Sequence, residues 1–217
     1  STHMTTQVFR NGKIYQQEYE IGKPLYSVKE VGTADITGTR QQFWPDGTIF
    51  TETVYDYKIL ASRLRELAYL NAGLRISLTD RRVVNEDGSF KSEQFYSEEG
   101  LREFVRFIES SREHLINDVI YLNSEKQGIP IEVAIMYNTG FSENVHSYVN
   151  NINTIEGGTH LAGFRRALTR TLKKYAEDSK MLEKVKVEIS GDDFREGLTA
   201  VISVKVAEPQ FEGQTKT

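Results

Sequence analysis

The chain contains no cysteine, and this absence removes several kinds of site at once. Disulfide bonds, thiolate metal sites and cysteine nucleophiles are all excluded. The four histidines are scattered without metal-ligand spacing, which predicts structural or exposed roles for His3, His114, His146 and His160. No metal site is therefore predicted. Long apolar runs and a signal peptide are also missing, so we expect no membrane span and take a reducing cytoplasm as the default compartment.

Net charge is small as well. The 217 residues carry a formal charge of −4, so overall charge does not identify a nucleic-acid-binding protein. Any site for nucleic acid must therefore be a local basic patch. The length suits one large domain or two small ones. Stretches with strand periodicity alternate with stretches of helical periodicity, which predicts an α+β fold of sheet and helix layers.

Residues 7–50 have the pattern of antiparallel strands. Asn11 and Gly12 separate two alternating runs, 7–10 and 13–20, and this dipeptide favours the type I′ turn of a hairpin. Residues 33–43 are predicted to form another strand, which ends in a turn at Pro45.

The rest of the chain mixes helices and strands. Apolar spacing predicts helices over 55–71 and 98–110, with a polar stretch containing a turn at 81–94. Further strands are predicted over 74–79, 119–123, 131–137, 141–150, 185–190 and 198–206. The last of these is nearly all apolar and is expected at the centre of a sheet. A connector at 114–117 is a plausible domain boundary.

A Gly-rich loop leads into a long basic helix that begins near Thr159, whose hydroxyl is predicted to cap the first turn. Apolar residues recur at spacings of three and four: Leu161, Phe164, Leu168, Leu172 and Tyr175. Cationic residues fall largely off this stripe: Arg165, Arg166, Arg170, Lys173 and Lys174. Two interpretations remain open. The pattern alone favours a solvated surface helix over a phosphate-binding one.

Other polar clusters do not define a site by themselves. Asp192, Asp193 and Glu196 lie between glycines, so a turn or an ion pair with Arg195 is expected rather than catalysis. Gln214 and Lys216, in the polar stretch at the end of the sequence, alone predict only a solvated segment. No Walker phosphate loop is present, and no catalytic triad can be argued without geometry.

Taken together, several segments closely resemble the DNA gyrase B family, the ATP-hydrolysing components of a bacterial type IIA topoisomerase. The matching segments are Ile36-Thr-Gly-Thr39, Phe43-Trp-Pro-Asp46, Leu60-Ala-Ser-Arg-Leu-Arg-Glu-Leu-Ala-Tyr-Leu-Asn71, Tyr148-Val-Asn-Asn-Ile-Asn153, Glu156-Gly-Gly-Thr-His-Leu-Ala-Gly-Phe-Arg165, Gly191-Asp-Asp-Phe-Arg-Glu-Gly-Leu-Thr-Ala200 and Gln210-Phe-Glu-Gly-Gln-Thr-Lys-Thr217. The likeness extends over essentially the whole chain. The ATPase component of topoisomerase IV shares most of these motifs, and the mismatch-repair protein MutL shares the architecture without these strings. Both remain alternatives.

The resemblance implies a fold and a domain division. Residues 1–112 would form the C-terminal part of a GHKL ATPase domain. Residues 113–217 would form most of a transducer domain, with a left-handed βαβ fold similar to GHMP kinases and a ribosomal protein domain. The family's general base and Mg²⁺ ligands would precede residue 1, so the chain alone is expected to be inactive. Half of a GHKL sheet would leave apolar surface uncovered, so poor solubility or association of the chain is also expected. Ser1 to Met4 fit either a native sequence or a cloning remnant, and the resemblance favours the native one.

The resemblance also implies site residues. Thr39 would bridge through water to the adenine of ATP. Gln214 and Lys216 would reach the γ-phosphate, as catalytic and ATP-binding residues that also couple hydrolysis to movement of the transducer. Arg165 would line the cavity for DNA between two copies of the protein. Arg166, Arg170 and Lys173 would extend that basic wall by attracting phosphates.

Cofactors and partners follow in the same way. The resemblance implies ATP with Mg²⁺, double-stranded DNA, the DNA gyrase A protein, and homodimerisation when ATP binds. It implies negative supercoiling driven by ATP, a cytoplasmic and nucleoid-associated location, and no membrane partner.

Overall fold

The computed structural model describes residues 1–181 and 189–213, which form two compact units. The first unit spans Ser1–Tyr57 and the second begins at Lys58. The domain boundary predicted near residue 113 falls inside the second unit, and it stays a prediction about the family's domains. No helix among the described residues is both long and apolar enough to cross a membrane.

The first unit is an antiparallel sheet. Its strands are β1 (His3–Arg10), β2 (Lys13–Glu20), β3 (Lys23–Pro24), β4 (Lys29–Thr33) and β5 (Gly38–Trp44). The predicted hairpin is confirmed: β1 pairs with β2 across a turn in which Asn11 and Gly12 have φ angles of 53° and 75°. Positive φ at both positions is what a type I′ turn requires.

The strand predicted over 33–43 is wrong at its start. β4 ends at Thr33 and pairs with β2, whereas β5 begins at Gly38 and pairs with β1. Because β1 and β2 are neighbours, the chain must pass from one side of the hairpin to the other between these two strands. Residues 34–37 make that passage.

The second unit contains three helices and seven strands among the described residues. They are α1 (Tyr57–Leu70, whose first residue belongs to the first unit), β6 (Ile76–Val84), β7 (Phe90–Phe95), α2 (Leu101–Glu109), β8 (Ile120–Lys126), β9 (Ile129–Tyr137), β10 (Asn144–Val149), β11 (Ile152–Asn153), α3 (Thr159–Asp178) and β12 (Leu198–Val204). The five-stranded sheet has the order β11-β10-β12-β9-β8. β12 runs parallel to β10 and antiparallel to β9. Residues 185–188 of a predicted strand lie outside the described residues.

The predicted central position of the last apolar strand is confirmed, since every residue of β12 is buried. Its side chains alternate between two cores. Val201 packs with Leu101 and Phe104 of α2, whereas Leu198, Ala200 and Ile202 pack with Leu161 of α3. The sheet therefore has a helix layer on each face, which explains why this strand lacks the polar alternation of a half-exposed one.

Residues 81–94, expected only as a polar stretch with a turn, extend a second hairpin. β6 continues to Val84 and pairs with β7, and the turn between them includes Asp87, whose carboxylate accepts the Ser89 amide at 2.9 Å. Most side chains at this end of the hairpin are exposed. Exposed positions accept polar side chains without a desolvation penalty. The apolar periodicity of this stretch is therefore too weak to indicate the strands.

A buried carboxylate joins the end of α2 to the sheet. Glu109 is fully buried, and its Oε1 accepts a 2.6 Å hydrogen bond from the hydroxyl of Thr199 in β12. Its Oε2 accepts from Nδ2 of Asn138 at 3.1 Å. Arg112 approaches Oε1 at 3.2 Å and supplies the opposite charge. Three partners therefore replace the water that this carboxylate loses on burial.

Thr199→Val is expected to destabilise the chain by about 1.5–3 kcal/mol, because it removes a donor to a buried charge while keeping the side-chain shape. Urea unfolding of the 217-residue chain measures this change. In a Glu109→Leu background, the charge is gone and the same substitution should cost much less. Equal losses of stability in the two backgrounds would show that the hydrogen bond between Thr199 and Glu109 does not stabilise the chain.

Candidate functional site

The loop before α3 folds tightly against the first turn of the helix. Gly157 and Gly158 have φ angles of 91° and 147°, and a Cβ at Gly158 would lie 2.9 Å from the ring of His160. The predicted capping role of Thr159 is wrong: Gly158 occupies the cap position and makes no side-chain capping bond. Thr159 is already the first helical residue. Its hydroxyl therefore lies past the position from which a side chain can reach the first-turn amides.

The apolar stripe of α3 is confirmed over most of its length. Leu161 is buried, and Phe164 and Leu168 pack against the same core. The prediction that Tyr175 belongs to the buried stripe is wrong, because its side chain is 61% exposed. Ala176, four residues after Leu172, is buried at the end of the stripe instead.

The exposed cations form one face of α3. Arg166, Arg170 and Lys173 are all exposed and follow one another at spacings of four and three. At 3.6 residues per turn these side chains fall within an arc of about 60°, roughly opposite the apolar stripe. A phosphate group can therefore reach these charges. The same arrangement is also expected for a solvated surface helix that binds nothing.

Arg165 lies at the border of this face and is held by an acid. Its Nε is 2.7 Å from Oε1 of Glu143, a residue just before β10. The other oxygen of Glu143 lies 3.4 Å from Nε of Arg195, close enough for Coulombic attraction but not aligned as a hydrogen bond. Two arginines therefore share one carboxylate.

Arg195 is the structural centre of the Gly191–Gly197 segment, which contains a 3₁₀ turn at Asp193–Arg195. Its guanidinium pairs with Asp192, as predicted, and donates to the carbonyl oxygen of Gly191 at 2.8 Å. It also donates to the hydroxyl of Thr169 in α3 at 3.2 Å. Sequence reasoning found the local pair with Asp192 but missed Glu143, which is distant along the chain.

Of the predicted nucleotide-site residues, only Thr39 lies in the described part of the chain. Thr39 lies in β5 opposite Val8, and its side chain is exposed. Gln214 and Lys216 lie outside the described residues. Their roles stay predictions.

A cavity of about 940 Å³ adjoins the N-terminus of α3, and no pattern in the sequence indicates it. Its lining includes His160, Val204 and Phe211. Burial lowers the pKa of His160, whose Nε2 lies 3.2 Å from the hydroxyl of Thr154. A neutral His160 ring that contacts the loop has a structural role. This agrees with the structural or exposed role expected for His160 from the sequence. Within residues 1–181 and 189–213, no three acidic or histidine side chains group as metal ligands would.

Comparison with known proteins identifies the family. The family model for DNA gyrase B matches residues 100–217. The DNA gyrase B protein of Cytophaga hutchinsonii is 63% identical over 217 residues, which is all of this chain and 45% of that protein. The chain thus spans less than half the length of this curated relative.

Two solved structures agree. The 43K ATPase domain of Thermus thermophilus gyrase B, in complex with an aminocoumarin, has a TM-score of 0.82 and 33% identity over 98% of this chain and 57% of that one. The topoisomerase IV ATP-binding domain of Francisella tularensis, in complex with an inhibitor, has a TM-score of 0.77 and 26% identity over 100% of this chain and 57% of that one.

These matches confirm the α+β class and the GHKL-type fold of the gyrase B ATPase domain, while the handedness of the β10–α3–β12 crossover stays a prediction. DNA gyrase B proteins as different as those of Cytophaga hutchinsonii and Halalkalibacterium halodurans are 63% and 49% identical along the whole chain, so the topoisomerase IV alternative is not favoured. The chain belongs to the DNA gyrase B family.

Proposed function

We propose that this chain supplies part of the ATPase component of DNA gyrase, a type IIA topoisomerase that couples ATP binding and hydrolysis to passage of one DNA duplex through another. The product would be negatively supercoiled DNA, on the chromosome in the cytoplasm. The observation that carries the proposal is the 63% identity to a gyrase B protein along the entire chain. The DNA gyrase A protein and a second copy of gyrase B are the proposed partners.

The domain division belongs to this proposal. Residues 1–112 would complete a GHKL ATPase domain and residues 113–217 a transducer. The parallel pair β10 and β12, joined through α3, supports a βαβ unit in the second of these. Left-handedness of that unit is part of the proposal.

Nucleotide binding would draw on residues from both parts. Thr39 has an exposed hydroxyl that can hold a water molecule beside the adenine. Gln214 and Lys216, which lie outside the described residues, would donate to the γ-phosphate. ATP with Mg²⁺ would supply the phosphoryl group whose transfer to water drives the cycle.

DNA binding would use the exposed face of α3. Arg166, Arg170 and Lys173 present their charges to solvent on one side of the helix. Such a face attracts the phosphate backbone and reads no bases, which suits an enzyme that passes DNA of any sequence. Arg165 borders this face and would contribute to it.

The proposal is tested with a full-length gyrase B protein that carries this sequence, combined with its gyrase A partner and ATP on relaxed plasmid DNA. Negative supercoils are expected, with the 217-residue chain alone as the inactive control. Decatenation without supercoiling would support topoisomerase IV instead. ATP hydrolysis with no change in DNA topology would contradict both and would fit a nucleotide switch of the MutL type.

A further inference from the structure

Glu143 is the carboxylate that pairs with Arg165. Its carboxylate lies 2.7 Å from Nε of Arg165 and is itself only 24% exposed. Arg195, 18% exposed, approaches its second oxygen. A partly buried carboxylate between two guanidinium groups is held on both sides and screened less by salt than a surface ion pair.

Arg166, Arg170 and Lys173 differ from Arg165 in this respect. No carboxylate of the described residues forms an ion pair with any of the three, and all of them are exposed. Each of these charges can therefore neutralise a DNA phosphate, which releases a cation condensed on the DNA. The gain in entropy from that release makes binding depend on salt.

We propose that Glu143 is the resident counterion of Arg165 and that it sets how strongly this arginine contributes to DNA binding. The proposal rests on the proposed function, since it concerns the same basic surface. Arg165 and Glu143 together carry no net charge, so contact of this pair with a phosphate neutralises little DNA charge and releases few of the cations condensed on the DNA. Arg165 is thus held in place by Glu143 and adds little to affinity until that carboxylate is neutralised or moved.

Salt dependence separates this role from a merely structural one. Each cationic side chain that neutralises one DNA phosphate contributes about −0.9 to the slope of log affinity against log salt, because cations condensed on the DNA are released. We therefore expect Arg170→Ala to make the slope shallower by roughly 0.9, and Arg165→Ala to leave it almost unchanged.

Neutralising Glu143 should reverse the result for Arg165. In Glu143→Gln the side chain keeps its size and one acceptor oxygen, but the charge of Arg165 is then free to neutralise a DNA phosphate. The slope should become steeper by about 0.9 and affinity should rise by up to roughly eightfold at about 0.1 M salt. Adding Arg165→Ala to this variant should cancel both changes.

The experiment measures binding of a labelled linear DNA duplex by a full-length gyrase B protein that carries this sequence, over a series of salt concentrations. Differences between variants cancel the contribution of DNA contacts elsewhere in the protein. Glu156→Gln is the matched control, because it removes an exposed negative charge from the loop before the same helix, where Glu156 forms no ion pair with another described residue. This control should behave like the wild type.

Two results would overturn the inference alone: Glu143→Gln that behaves like Glu156→Gln, or Arg165→Ala that changes the wild-type slope as much as Arg170→Ala does. The second comparison needs no variant at Glu143 and stands even if that substitution impairs folding. A slope unchanged by Arg170→Ala would instead show that this face does not bind DNA, and would overturn that part of the proposed function.

Discussion

Gly197→Ala is expected to lower the free energy of unfolding by more than about 3 kcal/mol, a large share of the roughly 5–15 kcal/mol that stabilises a typical domain. Gly197 is buried immediately before β12 and has a φ of +68°. A Cβ there would lie 2.3 Å from the carbonyl oxygen of Asn138 and 2.8 Å from that of Gly140.

The obstacle is backbone, so a rotamer change cannot remove it. The amide of Asn138 donates to the carbonyl of Gly197 at 2.9 Å, which ties the two segments together at the point of the clash. Relief would require movement of β12 away from the end of β9, and hence disruption of the central strand pair. The left-handed backbone conformation adds a cost of roughly 1 kcal/mol for any residue with a Cβ.

Urea unfolding of the 217-residue chain measures the effect, and Gly163→Ala provides the matched control. Gly163 lies inside α3, and a Cβ there would meet nothing within 4 Å. The same substitution should therefore stabilise the chain by about 0.5–1 kcal/mol, because alanine favours the helix. A Gly197→Ala variant within about 1 kcal/mol of the wild type would show that the end of β9 is free to move.

Lys216→Ala is expected to reduce ATP hydrolysis by a full-length gyrase B protein carrying this sequence by at least about a hundredfold, with loss of supercoiling. In the proposed function this ammonium group would contact the γ-phosphate, where charge on the phosphoryl oxygens changes during transfer. A fixed cation at that position stabilises the transition state, and water cannot replace it at equal strength.

Nucleotide selectivity tests the position of Lys216 independently of turnover. A group that contacts only the γ-phosphate should leave ADP binding unchanged in Lys216→Ala while ATP binding weakens. Lys126→Ala is the control for charge alone, since Lys126 is an exposed residue at the end of β8. A Lys216→Ala variant that supercoils DNA at the wild-type rate would refute the assignment of Gln214 and Lys216 to the phosphate site.

Part of the candidate site was predictable from helical periodicity. Arg166, Arg170 and Lys173 recur at the spacing of one helix face, and the exposed positions agree. The pairing of Arg165 with Glu143 was not predictable, because Glu143 precedes a different element and no local pattern relates the two. Tyr175 also has the spacing of the apolar stripe, yet its side chain is exposed and the neighbouring Ala176 is buried, a difference that spacing alone does not indicate.

The sequence by itself determined the family, the turns and the central strand. Asn11 and Gly12 specify their hairpin because few residues adopt two successive positive φ angles, and the apolar run of β12 requires burial on both faces. Only the tertiary structure decided which charges meet. The Glu109–Thr199 and Glu143–Arg165 contacts join residues 90 and 22 positions apart, and such contacts depend on how elements pack, which no local preference of the chain encodes.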